Sequence, residues 1–578
     1  MIQTSTRSFS SVQDRSLIEH EGRAAYWLTL FLIGVLALLP AFVLLKAALW
    51  PVGFFDPLPA LAELSRPVVR IATWNTLESA TLSAVLALGI GGFSALLIGV
   101  SDMRGKRLFA FLMAMGMLIA PQVAALAFKT MAGPASPLLK LIGMAPLPGT
   151  PNPLLGRVGI ILVLGLHHAP LVMLTLLAGL KTLPNSLIEA AEMDGASAGV
   201  LTRRVVLPCL SVHIAAAAML SFVAGLGNFG IPALLGLPVN YVTLPTLIYR
   251  QLSSFGPGII ADVATLSIVL AVLTGIAVMV SLRILAKTPP MLDGDKGLRP
   301  YWRLGRWRWL VEAMAAALVA MTLILPFLSL LASALVPAYG MPLTAQTVTL
   351  RAFGEVMIRQ ASTVEAFRNS FLFAGAAAVV LAFLALPVSY GLVRIAGRSR
   401  ALLQFLVELP FALPGIVIAI AAILLFLKPL PLLGVSLYAT PWIILFAYLA
   451  RFLSMAIKPV AATLSQLEIS VEEAASLCGA GLFNRLRHVL LPALLPSMLA
   501  GAMFVFLSAF NELTVSALLW SAGTRTLGVI LFSLEEAGLN AEASALAILT
   551  MLIVAVLMLA LDRLGKRLPP GVVPWSTS

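Results

Sequence analysis

The chain has 578 residues, 60% hydrophobic and only 11% charged, with a mean hydropathy of +1.01 and a formal net charge of +13. A soluble domain is about 45–50% apolar and about 25% charged, so a water-soluble globular protein is excluded. Two cysteines (Cys209, Cys478) and five histidines (His20, His167, His168, His213, His488) supply neither a disulfide framework nor a metal spacing. The His167–His168 pair is poor for chelation, because neighbours on a helix point about 100° apart.

A helix needs about 20 residues to cross the hydrocarbon core, and twelve apolar segments are long enough. In chain order they cover 26–48, 78–100, 108–132, 157–180, 209–234 and 258–284, then 309–335, 369–394, 401–427, 439–457, 493–520 and 541–562. The first follows a tail, residues 1–25, that carries Arg7, Arg15 and Arg23. Its apolar run is long for a signal peptide and ends in no small-x-small site, so it reads as an uncleaved span. The sequence predicts an all-α polytopic membrane protein of about 12 helices in two six-helix repeats, 26–284 and 309–562. Residues 285–308 form a basic linker and 563–578 a short tail. Six is an even number, so both repeats enter with one orientation, related by an axis along the membrane normal.

Loops rich in Lys and Arg stay cytoplasmic. The termini, the loops on their side and the adjoining helix ends hold 26 of the 38 Lys and Arg, and the opposite loops hold 10. Both termini are therefore expected on the cytoplasmic side of the membrane that the chain crosses. The stretch "RILAKTPPMLDGDKGLRPYWRLGRWRW", residues 283–309, is the richest, and its Trp and Arg suit the headgroup level. The positive charge is topological, which removes nucleic acid as a partner and leaves lipid.

Between the fourth and fifth segments of each half lies the same half-polar stretch. It reads "EAAEMDGASAGVLTRRVVLP" from Glu189 to Pro208 and "EAASLCGAGLFNRLRHVLLP" from Glu473 to Pro492. Glu473 and Glu189, Gly479 and Gly195, and Pro492 and Pro208 each differ by 284. Ser186 and Ser470 stand three residues before Glu189 and Glu473, the spacing of a capping box. Ala190-Ala191 and Ala474-Ala475 favour helix and permit close approach of another surface. Gly195 and Gly479 suit a sharp turn. A second short helix is expected to run to Val205 and Val489, ended by Leu207-Pro208 and Leu491-Pro492. The product is a helix–turn–helix bracket. A plain connection needs about four residues, so twenty kept in register in two copies point to a docking surface.

The pattern E-A-A-x3-G-x9-[IV]-x-L-P resembles the signature of permease subunits of binding-protein-dependent ABC importers. The resemblance covers essentially the whole chain, as two fused permease units. It implies that Glu189, Ala190, Ala191, Gly195, Leu207 and Pro208 form one coupling loop (about 181–208). Glu473, Ala474, Ala475, Gly479, Leu491 and Pro492 form the other (about 458–492). Each would dock in a groove of a cytoplasmic ATPase subunit, so two copies are implied, with a periplasmic binding protein delivering cargo and no permease homodimer. The run "AYLARFLSMAIKPVAATLSQLEISVEEAASLCGA" (447–480) resembles the group that imports ferric iron, thiamine or 2-aminoethylphosphonate. Ferric iron is the first expectation. Glu192 and Asp194 in one copy face Ser476 and Cys478 in the other, so the two docking surfaces are not expected to be interchangeable.

No G-x-x-x-x-G-K-[ST] phosphate loop accompanies the motif: Gly105-Lys106 and Gly565-Lys566 are each followed by Arg. The chain is therefore not expected to be an enzyme or to hold a cofactor, with ATP and Mg on the partner ATPase. An ion-driven secondary transporter is the alternative, although it leaves the two brackets unexplained. Ionisable residues at membrane depth usually face a cavity or a partner. Glu512 is the leading path residue, with Asn228 and Asn511, matched after a one-residue slip, as companions. Two readings stay open for the asparagines, a shared pathway or hydrogen-bonded glue between helices. The histidine pair reads as packing, and Arg451 as a residue snorkelling to the cytoplasmic end.

Overall fold

A computed structural model describes residues 23–50, 54–254, 258–285, 299–395, 400–429 and 434–565. Among these residues all regular structure is helical, with one isolated bridge between Ser101 and Trp302. Much of the linker, residues 286–298, and both tails beyond 23 and 565 lie outside the described residues.

The first repeat crosses with α1 (Tyr26–Leu49) and α2 (Pro67–Val100). Next come α3 (Lys106–Leu118) and α4 (Pro121–Ala132), then α5 (Arg157–Leu180). Trp27, Phe31 and Phe42 on α1 are each more than 60% exposed, a surface fit only for lipid. The expected span 108–132 is broken: α3 and the helix that follows it meet at 100°. Ile119 and Ala120 are extended, and Pro121 starts α4, where its missing N–H is no loss. The break is still one crossing. Arg157 pairs with Glu78, Gly165 faces Leu86 and Gly99 faces Leu180, so α5 runs parallel to α2. An odd number of passes must then lie between them.

The bracket follows, with α6 (Asn185–Met193), and then α7 (Ser211–Leu226), which returns antiparallel: its start meets Gly179 and its end meets Ala80. The expected span 209–234 overruns this helix. Beyond Gly227 the chain dips back as Gly230–Gly236 and α8 (Leu244–Leu252) and stays at the far end. There Asn75 donates to the Val242 carbonyl and the Leu244 amide donates to Thr76. The sixth pass is α9 (Ile259–Leu285).

The second repeat retraces this path. It comprises α10 (Gly305–Ala334), α11 (Ala361–Ile395), α12 (Arg400–Ala412), α13 (Gly415–Phe426) and α14 (Pro441–Gln466). The bracket helix α15 (Ile469–Leu477), α16 (Leu491–Phe510), α17 (Leu527–Glu536) and α18 (Asn540–Gly565) complete it. The expected span 401–427 is broken before Gly415, with Pro414 as the helix cap. The expected span 493–520 ends at Phe510, and a second re-entrant segment follows. Asn369 donates to the Arg525 carbonyl and the Leu527 amide donates to Ser370, the same tether as in the first half. Counting each broken pass once gives twelve crossings among the described residues, six per repeat, with a re-entrant segment after each fifth. The repeats interlock: α1 packs on α13 and α10 on α4, so each first helix leans on the other repeat's broken helix.

Candidate functional site: two brackets and the cavity between the repeats

Both brackets emerge at the same end. α6 closes at Asp194 with the Gly195 amide donating to Glu192 and the Ala196 amide to Ala191. α15 closes the same way, from Gly479 to Ser476 and from Ala480 to Ala475. These are Schellman turns. Gly195 (φ +76°) and Gly479 (φ +81°) adopt the left-handed conformation with no neighbour within 4 Å of a built Cβ, so backbone angle, not space, demands glycine.

The capping boxes do not form. α6 begins at Asn185 after Pro184, and α15 at Ile469 after Glu468, neither with a side-chain cap. Ser186 and Ser470 thus lie inside the first turn, where Ser470 donates to Glu468. Leu-Pro does not end the second helix either. In both brackets a π-turn (Thr202–Val206, Leu486–Leu490) runs straight into it. Proline has no N–H to donate, and the wider turn accommodates that loss. The exits then differ: the first bends by 67° before Ser211, while the second is one helix, Leu482–Phe510.

The supports differ too. The first bracket rests on buried Ile188, Leu201 and Leu183, packed with Val100 and Tyr301. At the equivalent positions the second has Glu472 and Arg485, each 1% exposed. Arg394 donates to Glu472 at 2.9 Å and to the Leu467 carbonyl at 3.0 Å. The described part of the linker braces the first bracket. Trp302 Nε1 donates to Thr202 Oγ1 at 2.9 Å, the Arg299 amide donates to Asn185, and the Trp302 amide donates to the Val100 carbonyl. Asp102 accepts from the Leu304 amide and pairs with Arg308. The Leu304 amide first, and Arg308 with it, hold the Asp102 carboxyl below its ordinary value against the opposing effect of burial. Trp307 and Trp309 are exposed, but Trp302 points inward, so the headgroup reading fits only part of the linker. Glu189, Ala190, Leu207, Pro208, Ala474 and Pro492 face outward, while Ala191, Glu473, Ala475 and Leu491 are half-buried.

Between the repeats lies a cavity of about 590 Å³, within the size range of small-molecule sites. Asn228, Asn511, Gln122 and Pro414 line the end far from the brackets, and His168 and Arg451 stand at mid-height. Lys458, Glu408 and Leu282 lie toward the brackets. Past the far end the halves are joined by the Lys129–Glu535 ion pair and by Lys140 donating to the Gly340 carbonyl.

Glu512 lies on the cavity wall, but its carboxylate accepts from the Val515 amide at 2.9 Å and the Ser516 amide at 3.2 Å. Asn228 likewise accepts from the Ile231 amide at 3.1 Å. Each caps the opening of its re-entrant segment, so the partner of Asn228 by role is Glu512, at the unbroken offset of 284. The slip lies later, in the loop before α8. Asn511 instead offers its main-chain carbonyl to Gln122, at 2.8 Å. Arg451 does not snorkel: α14 continues to Gln466, which leaves Arg451 mid-helix. The sequence reading missed the Asn75 and Asn369 tethers, and the shared Asn-Thr and Asn-Ser pairs were the available signal.

The family of binding-protein-dependent transport system inner membrane components matches residues 16–287 and again 378–574. The chain is similar to the probable ABC transporter permease protein y4fN of Sinorhizobium fredii, 25% identical over 96% of this chain and 98% of that one. It is also similar to the Fe(3+)-transport system permease protein FbpB 2 of Haemophilus influenzae, 26% identical over 92% and 96%. A putative 2-aminoethylphosphonate transport system permease protein, PhnV of Salmonella typhimurium, is 31% identical over 30% of this chain and 63% of its own. The chain belongs to the inner-membrane permeases of ABC importers, as a multi-pass protein carrying the permease unit twice.

Proposed function

We propose that this chain is the whole transmembrane pathway of an ATP-driven importer. It would take a small polar nutrient from a periplasmic binding protein and be driven by two copies of a cytoplasmic ATPase. The observation that carries the reading is a cavity of about 590 Å³ walled by both repeats, with two matching brackets at one end. One chain supplies both halves, so no permease homodimer is needed. In this arrangement the brackets and both termini are cytoplasmic, and ATP and Mg are held by the ATPase. The cavity reaches toward the brackets and is closed beyond Asn511, the geometry of an inward-facing state. Closure of the ATPases on ATP would draw the brackets together and turn the cavity outward, with the Lys129–Glu535 pair parting. Ferric iron leads among cargoes on sequence resemblance, followed by 2-aminoethylphosphonate and thiamine.

The test is reconstitution in proteoliposomes with the partner ATPase and binding protein. Uptake should require ATP and both partners. Uptake driven by an ion gradient without the ATPase would instead establish the secondary-transporter reading. Cysteines at Ser197 should label only from the cytoplasmic face and those near Gly149 and Ala522 only from outside. Reversed labelling would overturn the orientation.

A further inference from the structure

The cavity holds charged groups of both signs, and their hydrogen bonds separate those already engaged from those left over. Glu512 is engaged by the Val515 and Ser516 amides. Glu408 and Lys458 stand 3.6 Å apart at the bracket end. Gln122 spends its amide on the Asn511 carbonyl. Two cavity-lining groups keep unused polar atoms in buried positions: Arg451 Nη1 and His168 Nδ1 have no hydrogen-bond partner, and His168 is only 6% exposed. A buried donor with no acceptor is unfavourable, and more so when it is charged.

The placement of Arg451 sharpens this. Its guanidinium lies against the first turn of α13, so close that a Cβ on Gly415 would overlap Nη1. The N-terminus of a helix carries partial positive charge, so a guanidinium there sets positive against positive. The opening of α4, at Pro121 and Gln122, lines the same cavity. Both half-helices are twelve residues long and both begin at a mid-membrane break. Half-helix N-termini facing a transporter cavity suit anionic groups. The missing partner is an anion.

We propose that the cavity binds its cargo through an oxyanion group, phosphonate, phosphate or carboxylate, held by Arg451 at the opening of α13 with His168 as a second contact. This rests on the importer reading and names the cargo class for the same cavity. The planar guanidinium offers paired donors that match such a group. An unpartnered guanidinium beside half-helix openings therefore favours an oxyanion-bearing cargo over a bare cation.

The experiment uses the full chain, assembled with its ATPase in nanodiscs, and measures thermal stabilisation by five probes: 2-aminoethylphosphonate, inorganic phosphate, β-alanine, thiamine and chloride. At least one oxyanion should stabilise the wild type, and comparison of the first three shows which oxyanion is preferred. Arg451→Met should weaken that response about tenfold or more while the variant still assembles with its ATPase. Arg451→Lys should restore part of it. If Arg451→Met does not accumulate, Gly415→Ala presses on the same guanidinium, with Thr514 Cβ the other atom that its new Cβ meets. Stabilisation by thiamine or chloride equal to that by every oxyanion, no response to any oxyanion, or an undiminished response in the variants would overturn the proposal. Loss of ATPase assembly by the wild type would instead strike the importer reading.

Discussion

Under the constant offset, Ile188 of the first bracket becomes Glu472 of the second, and Leu201 becomes Arg485. Both copies keep the Schellman turn, the positive-φ glycine and the π-turn before Leu-Pro. What changed is the support, apolar packing in one copy and buried charge joined to Arg394 in the other. The two solutions fail differently. An apolar contact that loses a methyl group leaves a small cavity, whereas a buried ion pair that loses one member leaves an uncompensated charge. The linker adds a second asymmetry, since its hydrogen bonds reach Asn185 and Thr202 of the first bracket.

The largest effect should come from splitting the charged support. Glu472→Ala strands Arg394 in a buried site, at a cost of about 3–5 kcal/mol, measurable as a fall in the unfolding midpoint of the purified chain. Ile188→Ala at the equivalent place should cost about 2–3 kcal/mol, toward the low end for such truncations. Replacing the whole cluster at once, Glu472→Ile with Arg485→Leu and Arg394→Met, should recover most of the loss. If the triple variant is no more stable than Glu472→Ala, burial of charge is not what makes the second support brittle.

The turns should be affected alike in both copies. Gly195→Ala and Gly479→Ala force a side chain into the left-handed region, at about 1–2 kcal/mol each. Proline, confined to negative φ, should distort the bracket while the spans still insert. We expect both proline variants to reach the membrane yet lose substrate-stimulated ATP hydrolysis in the assembled complex. Full coupling in both would remove the brackets from the mechanism. A third and smaller change separates the copies again: Thr202→Val removes an acceptor for Trp302, worth about 1 kcal/mol. Hydrogen exchange should accelerate at amides 198–206 and stay unchanged at 482–490.

The twelve crossings, the parallel repeat and the glycine turns were legible because each is written locally, in a run of apolar residues or a short motif. The missed features depend on contacts across the fold. Arg451 was assigned to a helix end because the apolar run stops near 457, but backbone helix continues through polar residues to Gln466. The overrun spans after Leu226 and Phe510 have the same origin, since re-entrant segments are as apolar as the crossings they follow. The charged support could have been seen in the aligned repeats, where an apolar pair in one copy stands opposite a Glu and an Arg in the other. Reading the motif for Glu473 alone hid its neighbour.

The smallest effect tests the linker's hold on the first bracket through pH. The Asp102 carboxyl is held below its ordinary value of 3.8, chiefly by the Leu304 amide and also by Arg308. A group whose pKa is depressed by folding adds stability above its unfolded value and loses it as pH falls through the folded one. The contribution of Asp102 should therefore be constant from neutral pH down to about 5 and fade below about 4. Asp102→Asn keeps an oxygen for the Leu304 amide but removes the charge that pairs with Arg308. Other carboxylates titrate alike in both proteins, so the difference in their unfolding midpoints isolates this one. That difference should be steady near neutrality and shrink toward zero in acid, whereas a gap that widens as pH falls would show that Asp102 does not stabilise the clamp as a carboxylate.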